Sequence, residues 1–340
     1  TEIPEKVWVE KLLADKEKAF HIWGKITESQ ELHDFWLPKA SIIKDNTVKD
    51  VVINYEKYSN RPPLTHQKEA IQKLVENKKF ILADDMGLGK TTSTIIAALE
   101  AGAKKILIIC PATLKINWKR EIENYSDRST YIAEGKNFST EHDFVIINYD
   151  IIKNFHDPKK KDDSQILRAD FDLVIIDEAH YIKNAQAQRT KLINDLVKKV
   201  DRLWLLTGTP MTSRPIDYYN LLSLIDSPVA KNWMAYVIRY CQGYQFKVGP
   251  RKVWNVMGAS NLEELRDRTV GLTLRRLKED VLDLPDKIIT PVYLRLKSKL
   301  YEEVMGDYYN WYEKNPEESK SLTVQFTKLT KVRQIIADEK

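Results

Sequence analysis

The sequence predicts an α/β fold in which helices cover both faces of a parallel sheet. Between residues 64 and 226, short apolar runs alternate with amphipathic helical stretches. Several of these runs are apolar along their whole length, as is typical of strands that are buried on both faces. One of them, Phe80–Ala83, leads into a glycine-rich segment and then into a helical stretch. That order of elements is the one in which a phosphate-binding loop occurs.

The predicted strands and helices follow one another as βαβ units. Parallel strands need a crossover connection, which is usually a helix, so this alternation favours parallel over antiparallel pairing. The predicted strands are Phe80–Ala83, Lys105–Cys110, Phe144–Asn148, Leu173–Asp177 and Leu203–Thr207. The helical stretches between them include Thr92–Glu100, Leu114–Asn124 and Gln188–Val197.

Three domains are predicted along the chain. Residues 1–60 form a helical accessory segment with nine lysines and eleven acidic residues, which is not the composition of a basic nucleic-acid arm. The segment Arg61-Pro62-Pro63 marks the boundary with an α/β lobe over residues 61–226. Residues 227–340 are expected to form a helical extension. Its helical patterns are Asn261–Arg276, Lys297–Tyr312 and Leu322–Ile336.

The composition is typical of a soluble globular protein and excludes several classes. No apolar stretch approaches the roughly 20 residues of a membrane helix, and no basic-then-apolar leader follows the first residue, so neither a membrane partner nor a secretory signal is expected. Cys110 and Cys241 are the only cysteines, which argues against a disulfide framework or a thiol metal site. The net charge of +5 is compatible with a polyanionic partner but does not identify one.

The glycine-rich segment after Phe80–Ala83 is the strongest candidate for a binding site. Gly87 and Gly89 would let backbone N–H groups close around phosphate oxygens at the start of the next helix. Lys90 would reach the β- and γ-phosphates, and the Thr91 hydroxyl would ligate Mg²⁺. The general pattern has glycine where Asp84 stands. A glycine-rich turn with a chance Lys-Thr therefore stays open as an alternative for this motif alone.

A pair of carboxylates ends another buried strand. Asp177 and Glu178 follow the apolar run that begins at Leu173. Ligands of α/β sheets bind at the carboxyl ends of the strands, so Asp177 is predicted to hold Mg²⁺ and Glu178 to orient or deprotonate the attacking water. The alternative is an acidic helix N-cap after a core strand.

Together these motifs resemble those of Snf2-type ATPases of helicase superfamily 2. The segment Asp177–His180 reads as a DEAH box, and Asp84–Thr91 resembles the Snf2 loop with Asp85 in place of the usual Glu. Leu206–Pro210 resembles motif III, and the block from Leu274 to Val281 resembles one that is characteristic of Snf2 proteins. The resemblance implies a RecA-like lobe and covers roughly residues 61 to 337.

The resemblance also implies a set of residues for ATP and Mg²⁺. Lys90, Asp177 and Glu178 would be catalytic, Thr91 and Asp177 would hold the metal, and Gln67 would read the adenine. The predicted ATP-binding residues are Gln67, Asp85, Met86, Gly87, Leu88, Gly89, Lys90, Thr91 and Thr92. The residues predicted to couple hydrolysis to lobe movement are His180, Thr207, Gly208 and Thr209. His180 could instead cap a turn, and the two threonines could be turn formers before Pro210.

Two further blocks resemble DNA-tracking motifs of the family. The residues predicted to contact DNA are Pro111, Thr113, Lys115, Trp118, Asn148 and Tyr149. Three of them have an ordinary structural alternative: Trp118 could pack in a helix interface, Tyr149 could close a strand, and Lys115 could lie on a solvated face. The segments Met211–Pro215 and Arg239–Cys241 resemble the branch that includes the annealing helicases.

The predicted function is that of the ATP-binding half of a double-stranded DNA translocase that remodels protein–DNA complexes or rewinds DNA. In the family, a second RecA-like lobe supplies arginines, and no such lobe follows within these 340 residues. This lobe alone is therefore expected to be weakly active or inactive. The alternatives are a strand-separating helicase and a DNA-binding scaffold with a vestigial ATPase. The Lys-, Ile-, Asn- and Tyr-rich composition predicts a cytoplasmic protein of a bacterial or phage-infected cell rather than a nuclear one.

Overall fold

The computed structural model of the chain describes residues 51–159, 164–198, 200–283, 299–315, 326–328 and 330–334. The chain divides into two compact units, with the boundary after Asp283. Most of the predicted accessory segment lies outside the described residues. Within the part that is described, Tyr55–Tyr58 form a 3₁₀ helix. The division into domains at residues 60 and 226 stays a prediction.

The first unit is built on a sheet of seven parallel strands, which confirms the predicted α/β class. The strand order is β3-β4-β2-β5-β6-β1-β9. The bounds of its members are β1 Lys79–Leu82, β2 Ile106–Cys110, β3 Thr130–Ile132, β4 Phe144–Asn148, β5 Leu173–Asp177, β6 Arg202–Leu206 and β9 Thr273–Leu274. A separate antiparallel pair consists of β7 Tyr244–Val248 and β8 Arg251–Asn255.

Helices connect the strands and pack on the sheet. Those of the first unit are α1 Thr65–Glu76, α2 Lys90–Glu100, α3 Lys115–Tyr125, α4 Gln165–Arg168, α5 Gln188–Val197, α6 Ile216–Leu224, α7 Trp233–Cys241, α8 Leu262–Thr269 and α9 Lys278–Val281. In the second unit, α10 spans Lys299–Lys314. The predicted helix Leu322–Ile336 lies only partly within the described residues. Among the residues that the structure describes, no helix has the length and apolar character needed to cross a membrane.

The core lies on both faces of the main sheet. Every residue of β2, β4 and β5 is buried. Successive side chains of a strand point to opposite faces, so Ile108 and Ile109 belong to two different apolar clusters. The two-sided burial explains why these strands are apolar throughout rather than alternating. The indole of Trp204 is also fully buried, and its Nε1 donates to the Asn77 carbonyl oxygen at 3.1 Å.

The strand order brings four chain segments to one edge of the sheet. Strands β5, β6, β1 and β9 are neighbours, and all run in the same direction. The segments that follow their carboxyl ends therefore lie side by side. These segments begin at Glu178, Thr207, Ala83 and Arg275. They are the segments that the sequence motifs occupy.

The region after residue 226 differs from the helical extension that the sequence predicts. It contains the β7–β8 hairpin, and the helical pattern Asn261–Arg276 ends at Thr269 before the chain enters the main sheet as β9. The edge of β1 requires this strand, because its buried N–H groups need acceptors. The amide of Ile81 donates to Leu272 at 3.0 Å, and the amide of Ala83 donates to Leu274 at 2.7 Å.

Two arginines directly after β9 hold the loop that follows β1. Arg276 forms a buried ion pair with Asp84, in which Arg276 Nε donates to Asp84 Oδ1 at 3.0 Å. The same guanidinium donates to the His66 carbonyl oxygen at 2.6 Å and to Glu69 at 2.8 Å. Arg275 Nη1 donates to the Gly208 carbonyl oxygen at 3.1 Å. The loop after β1, the start of α1 and the loop after β6 are thus joined through β9.

We expect the substitution Arg276→Met to lower the free energy of unfolding by about 3 kcal/mol, because it removes the ion-pair partner of the buried Asp84 carboxylate. Replacing both partners, Asp84→Asn with Arg276→Met, should recover much of that loss. Urea titration measures the effect. Lys78→Met serves as the matched control, since it removes an exposed ion pair with Asp201 and should cost less than about 1 kcal/mol. If Arg276→Met and Lys78→Met lowered the free energy of unfolding equally, the assigned role of Arg276 would be contradicted.

Candidate functional site

The loop between β1 and α2 has the backbone geometry of a phosphate-binding loop. Gly87 and Gly89 adopt φ angles of +88° and +75°, which disfavour residues with a side chain. A Cβ atom at Gly89 would also lie 2.0 Å from Gln67 Nε2. Helix α2 begins at Lys90, so the unpaired N–H groups and the positive dipole end of its first turn face the loop.

The Lys90 ammonium lies within this loop. Its Nζ donates to the carbonyl oxygens of Asp84 at 2.8 Å and Asp85 at 3.3 Å. Burial lowers the pKa of Lys90, although the nearby carboxylates of Glu178 and Asp177 raise it in part. Neighbouring carboxylates favour the protonated ammonium, which is the form that attracts phosphate oxygens.

Other residues that the sequence assigns to ATP surround the loop. Leu88 is buried beneath it, and its carbonyl oxygen lies 3.1 Å from His66 Nε2. Gln67 accepts a hydrogen bond from the Leu64 amide at 2.9 Å with its Oε1, while its Nε2 lies against Gly89. The structure therefore brings Gln67 to the loop, and its contact with adenine stays a prediction. Asp85, Thr91 and Thr92 are partly exposed, and Met86 is exposed.

Asp177 lies at the end of β5 with both carboxylate oxygens engaged. Its Oδ1 accepts from the Glu178 amide at 2.9 Å, and its Oδ2 accepts from Trp118 Nε1 at 2.8 Å. Burial raises the pKa of Asp177, and the Trp118 hydrogen bond opposes that rise because it stabilises the carboxylate. The carboxylate is close enough to Lys90 for the two charges to interact.

Glu178 occupies a strained backbone position beside Asp177. Its φ of +52° is unusual for a residue other than glycine. Its Oε2 lies 3.1 Å from His180 Nδ1, and that nitrogen lies 3.3 Å from Thr207 Oγ1. Thr207 Oγ1 in turn accepts from the Thr209 amide at 3.1 Å. One chain of polar contacts thus runs from the second carboxylate to the loop after β6.

The loop after β6 also contacts the phosphate-binding loop directly. A Cβ atom at Gly208 would lie 2.9 Å from Met86 Cγ, so glycine permits the close approach of the two loops. The sequence placed Gly208 in a coupling motif, and the structure places it against Met86 and Arg275. The coupling role itself stays a prediction.

Three of the residues predicted to contact DNA are buried, and that interpretation is wrong for their side chains. Trp118 is fully buried, because its indole is the partner of Asp177. Tyr149 is 4% exposed, and its hydroxyl donates to the Asp177 carbonyl oxygen at 2.6 Å. Asn148 is 7% exposed at the end of β4. The packing alternatives for Trp118 and Tyr149 are therefore the ones that the structure favours.

The remaining predicted DNA contacts are accessible. Thr113 is exposed, and Pro111 and Lys115 are partly exposed. Lys115 Nζ donates to the Ala133 carbonyl oxygen at 3.1 Å, which leaves further donors of this ammonium available. Pro111 follows β2, Thr113 lies in the 3₁₀ helix Ala112–Leu114, and Lys115 begins α3. Their contact with DNA stays a prediction.

Sequence reasoning did not find the residues that hold the loop from the side of β9. Arg275 and Arg276 were assigned only to a family block, and their partners Ala83, Gly208 and Asp84 lie far away in the chain. One signal was present: an acidic residue stands at the glycine position of the loop pattern. A buried carboxylate requires a cationic partner, and Asp84 is 2% exposed.

The residues present fit a nucleotide with its metal better than a metal alone. In the described part of the chain, no three His, Cys, Asp or Glu side chains are grouped as a metal site. Mg²⁺ commonly takes one or two protein oxygens and completes its shell with substrate phosphates and water. Asp177, whose charge acts on Lys90, and the hydroxyl of Thr91, which follows Lys90 in the chain, provide oxygens of that kind.

Comparison with known proteins identifies the relatives. The chain is 31% identical over 259 residues to the DNA annealing helicase and endonuclease ZRANB3 of Bos taurus, a match that covers 73% of this chain and 24% of that protein. It is 32% identical over 268 residues to the SWI/SNF-related matrix-associated actin-dependent regulator of chromatin subfamily A-like protein 1 homolog of Caenorhabditis elegans, which covers 76% of this chain and 36% of that protein. The chain therefore spans about a quarter of the first relative's length and about a third of the second's.

These relatives overturn the predicted location. The expectation of a cytoplasmic protein of a bacterial or phage-infected cell is wrong, since the relatives include proteins of cattle, humans, a nematode and a fission yeast. One of the names refers to chromatin. The Lys, Ile, Asn and Tyr content on which the expectation rested also serves helix surfaces and a strand-rich core, so it is a poor indicator of the genome.

A solved structure and a family match complete the assignment. The SWI2/SNF2 ATPase core of Sulfolobus solfataricus in complex with dsDNA matches with a TM-score of 0.56 and 22% identity, over 84% of this chain and 60% of that chain. At this identity the likeness shows the fold alone, and it confirms the predicted RecA-like lobe. The SNF2-related domain matches residues 66–340. The chain therefore belongs to the SNF2-related family, as the sequence motifs predicted.

Proposed function

We propose that this chain is the ATP-binding lobe of a translocase on double-stranded DNA. One observation carries the proposal: the Lys90 loop, the Asp177–Glu178 pair and the loop after β6 meet at one sheet edge, where both carboxylate charges act on Lys90 and His180 contacts both Glu178 and Thr207. The names of the relatives support the DNA part, since they include a DNA annealing helicase and a regulator of chromatin.

The proposed roles follow from the chemistry of each side chain. Lys90 exchanges its contacts with the carbonyl oxygens of Asp84 and Asp85 for phosphate oxygens of ATP. Asp177 and Thr91 hold Mg²⁺, which neutralises phosphate charge when it is bound. Glu178 orients the attacking water and accepts its proton. Catalysis of this kind depends on positioning, which the buried hydrogen bonds of Asp177 provide.

The proposed coupling path runs from Glu178 through His180 to Thr207. When ATP phosphates bind or leave beside Glu178, the electrostatic attraction between Glu178 and His180, which lie 3.1 Å apart, changes in strength. His180 passes that change to Thr207, whose neighbours belong to the loop after β6. We propose that a second RecA-like lobe contacts this loop and supplies the arginines that complete the site. An arginine finger contributes about 10³–10⁵ in rate, so this lobe alone should turn over slowly.

The test of the proposed function is ATP turnover by the complete two-lobed protein with duplex DNA, with single-stranded DNA and without DNA. Strong stimulation by duplex supports the translocase. Stimulation by single strands only would replace it with a strand-separating helicase. If neither DNA stimulates turnover, the chain is a scaffold with a vestigial ATPase.

The assignment of the phosphate-binding loop has its own test. Lys90→Ala should weaken ATP binding by about 10- to 100-fold, because it removes a charge-assisted contact with phosphate. Equilibrium titration with a fluorescent ATP analogue measures the affinity. Lys78→Ala, which removes an exposed lysine elsewhere, is the control and should bind normally. Unchanged affinity in Lys90→Ala would remove the assignment.

The Trp118 hydrogen bond predicts a change in pH dependence. This bond lowers the pKa of Asp177, so Trp118→Phe should raise that pKa further above its ordinary value. Metal binding needs the ionised carboxylate, and kcat/KM should therefore begin to fall at a higher pH in the variant as the pH is lowered. The control is Trp204→Phe, which removes an equally buried indole whose Nε1 bonds to Asn77. Its pH profile should match that of the unsubstituted protein.

A further inference from the structure

The β7–β8 hairpin is a separate ribbon on the first unit. Among the residues that the structure describes, its two strands pair only with each other, and a two-residue turn of Gly249 and Pro250 joins them. Gly249 has a φ of +59°, as turns of this length require. Isolated hairpins are marginally stable in water, so an exposed ribbon of this kind needs contacts with neighbouring elements to stay folded.

One face of the ribbon presents apolar and aromatic side chains to solvent. Tyr244, Phe246 and Val248 alternate along β7, and Val253 lies directly across from Phe246. Their exposures are 54%, 42%, 55% and 42%. The rings of Tyr244 and Phe246 are 6.2 Å apart, and Asn255 Nδ2 donates to the Tyr244 hydroxyl at 2.9 Å. A contiguous exposed patch of this character indicates a binding surface.

The charge around the hairpin has a single sign. Residues 227–262 contain no Asp or Glu, although the chain has 49 acidic residues in 340. The same segment contains Lys231, Arg239, Lys247, Arg251 and Lys252. Lys247 and Arg251 are exposed beside the turn, and neither has an acidic partner among the residues that the structure describes. The tip of the ribbon therefore suits a polyanion.

Side-chain contacts hold together the helices on either side of the hairpin. Glu264 on α8 accepts from Arg239 Nε at 3.0 Å and from the Tyr240 hydroxyl at 3.0 Å, both on α7. Trp254 on β8 packs edge-on against Trp233 with ring centroids 5.5 Å apart. The base is therefore fixed, while the aromatic face and the tip stay accessible.

We propose that the β7–β8 hairpin binds unpaired DNA bases at a branch or fork. Tyr244 and Phe246 stack on successive bases, and Arg251, which lies on the same face across from Val248, contacts an adjoining phosphate. The inference rests on the proposed function, because a translocase that rewinds DNA must meet duplex that borders single strands. Fully paired DNA fits this surface less well, since the faces of its bases are covered by their neighbours. An apolar protein partner would not account for the absence of acidic residues.

The test compares the affinity of the chain for a duplex carrying two unpaired arms with its affinity for the same duplex without arms. Unsubstituted protein should prefer the armed DNA. Phe246→Leu keeps an apolar side chain without a ring and should reduce that preference about tenfold. Phe246→Tyr keeps the ring and should retain the preference. Quenching of 2-aminopurine placed in an arm reports stacking directly, and thermal unfolding verifies that each variant is folded.

The charged tip is tested separately through salt dependence. Replacing Arg251 by Gln should reduce the slope of log affinity against log salt by about 0.7 on single-stranded DNA, since that is the contribution of one phosphate contact. An unchanged slope would remove the tip from the proposal.

The outcomes separate this inference from the proposed function. If the protein binds plain duplex but shows no preference for unpaired arms, or if Phe246→Leu keeps the preference, the hairpin assignment is wrong and the translocase stands. The assignment also fails if Phe246→Leu weakens both DNAs equally. If duplex neither binds nor stimulates ATP turnover in the unsubstituted two-lobed protein, the proposed function itself fails.

Discussion

The buried ion pair between Asp84 and Arg276 is the constraint on which the rest of the site depends. Asp84 is 2% exposed, and a carboxylate in that position is tolerable only with its guanidinium partner. Arg276 lies directly after β9, so the pair fixes the seventh strand to the start of the phosphate-binding loop. The loop pattern usually has glycine here. In this chain Asp84 takes that position, and its ion pair with Arg276 holds the start of the loop in place.

A second set of contacts makes Asp177 the junction between two regions that the sequence treated as separate. Trp118 and Tyr149 belong to segments that resemble DNA-tracking blocks, yet both side chains point inward and bond to Asp177. Thr113 and Lys115 lie near Trp118 on the accessible side. The aromatic residues act as positioning residues for Asp177 rather than as a binding surface.

Local pattern was enough to predict the parallel sheet, the phosphate-binding loop and the carboxylate pair. Each of these depends on residues that are adjacent in sequence, such as Gly89 with Lys90 or Asp177 with Glu178. Local pattern failed where a side chain's direction depends on distant partners, as for Trp118, which lies 59 residues from Asp177. It failed again for β9, because two residues are too few to show a strand period. This strand is recognised only from its pairing with β1 in the folded chain.

The strained backbone at Glu178 shows how these contacts work together. A left-handed φ at a residue with a side chain persists only where its surroundings stabilise it. The Tyr149 hydroxyl donates to the Asp177 carbonyl oxygen at 2.6 Å, and the Asp177 carboxylate accepts from the Glu178 amide at 2.9 Å, so hydrogen bonds hold both sides of the strained peptide. The turn that results directs Glu178 towards His180 while Asp177 stays beside Lys90. Both carboxylates therefore act on the Lys90 ammonium, and Glu178 also begins the chain of contacts to Thr207. At an unstrained strand end the two consecutive side chains would instead point to opposite faces of the sheet, and one of them would face away from Lys90.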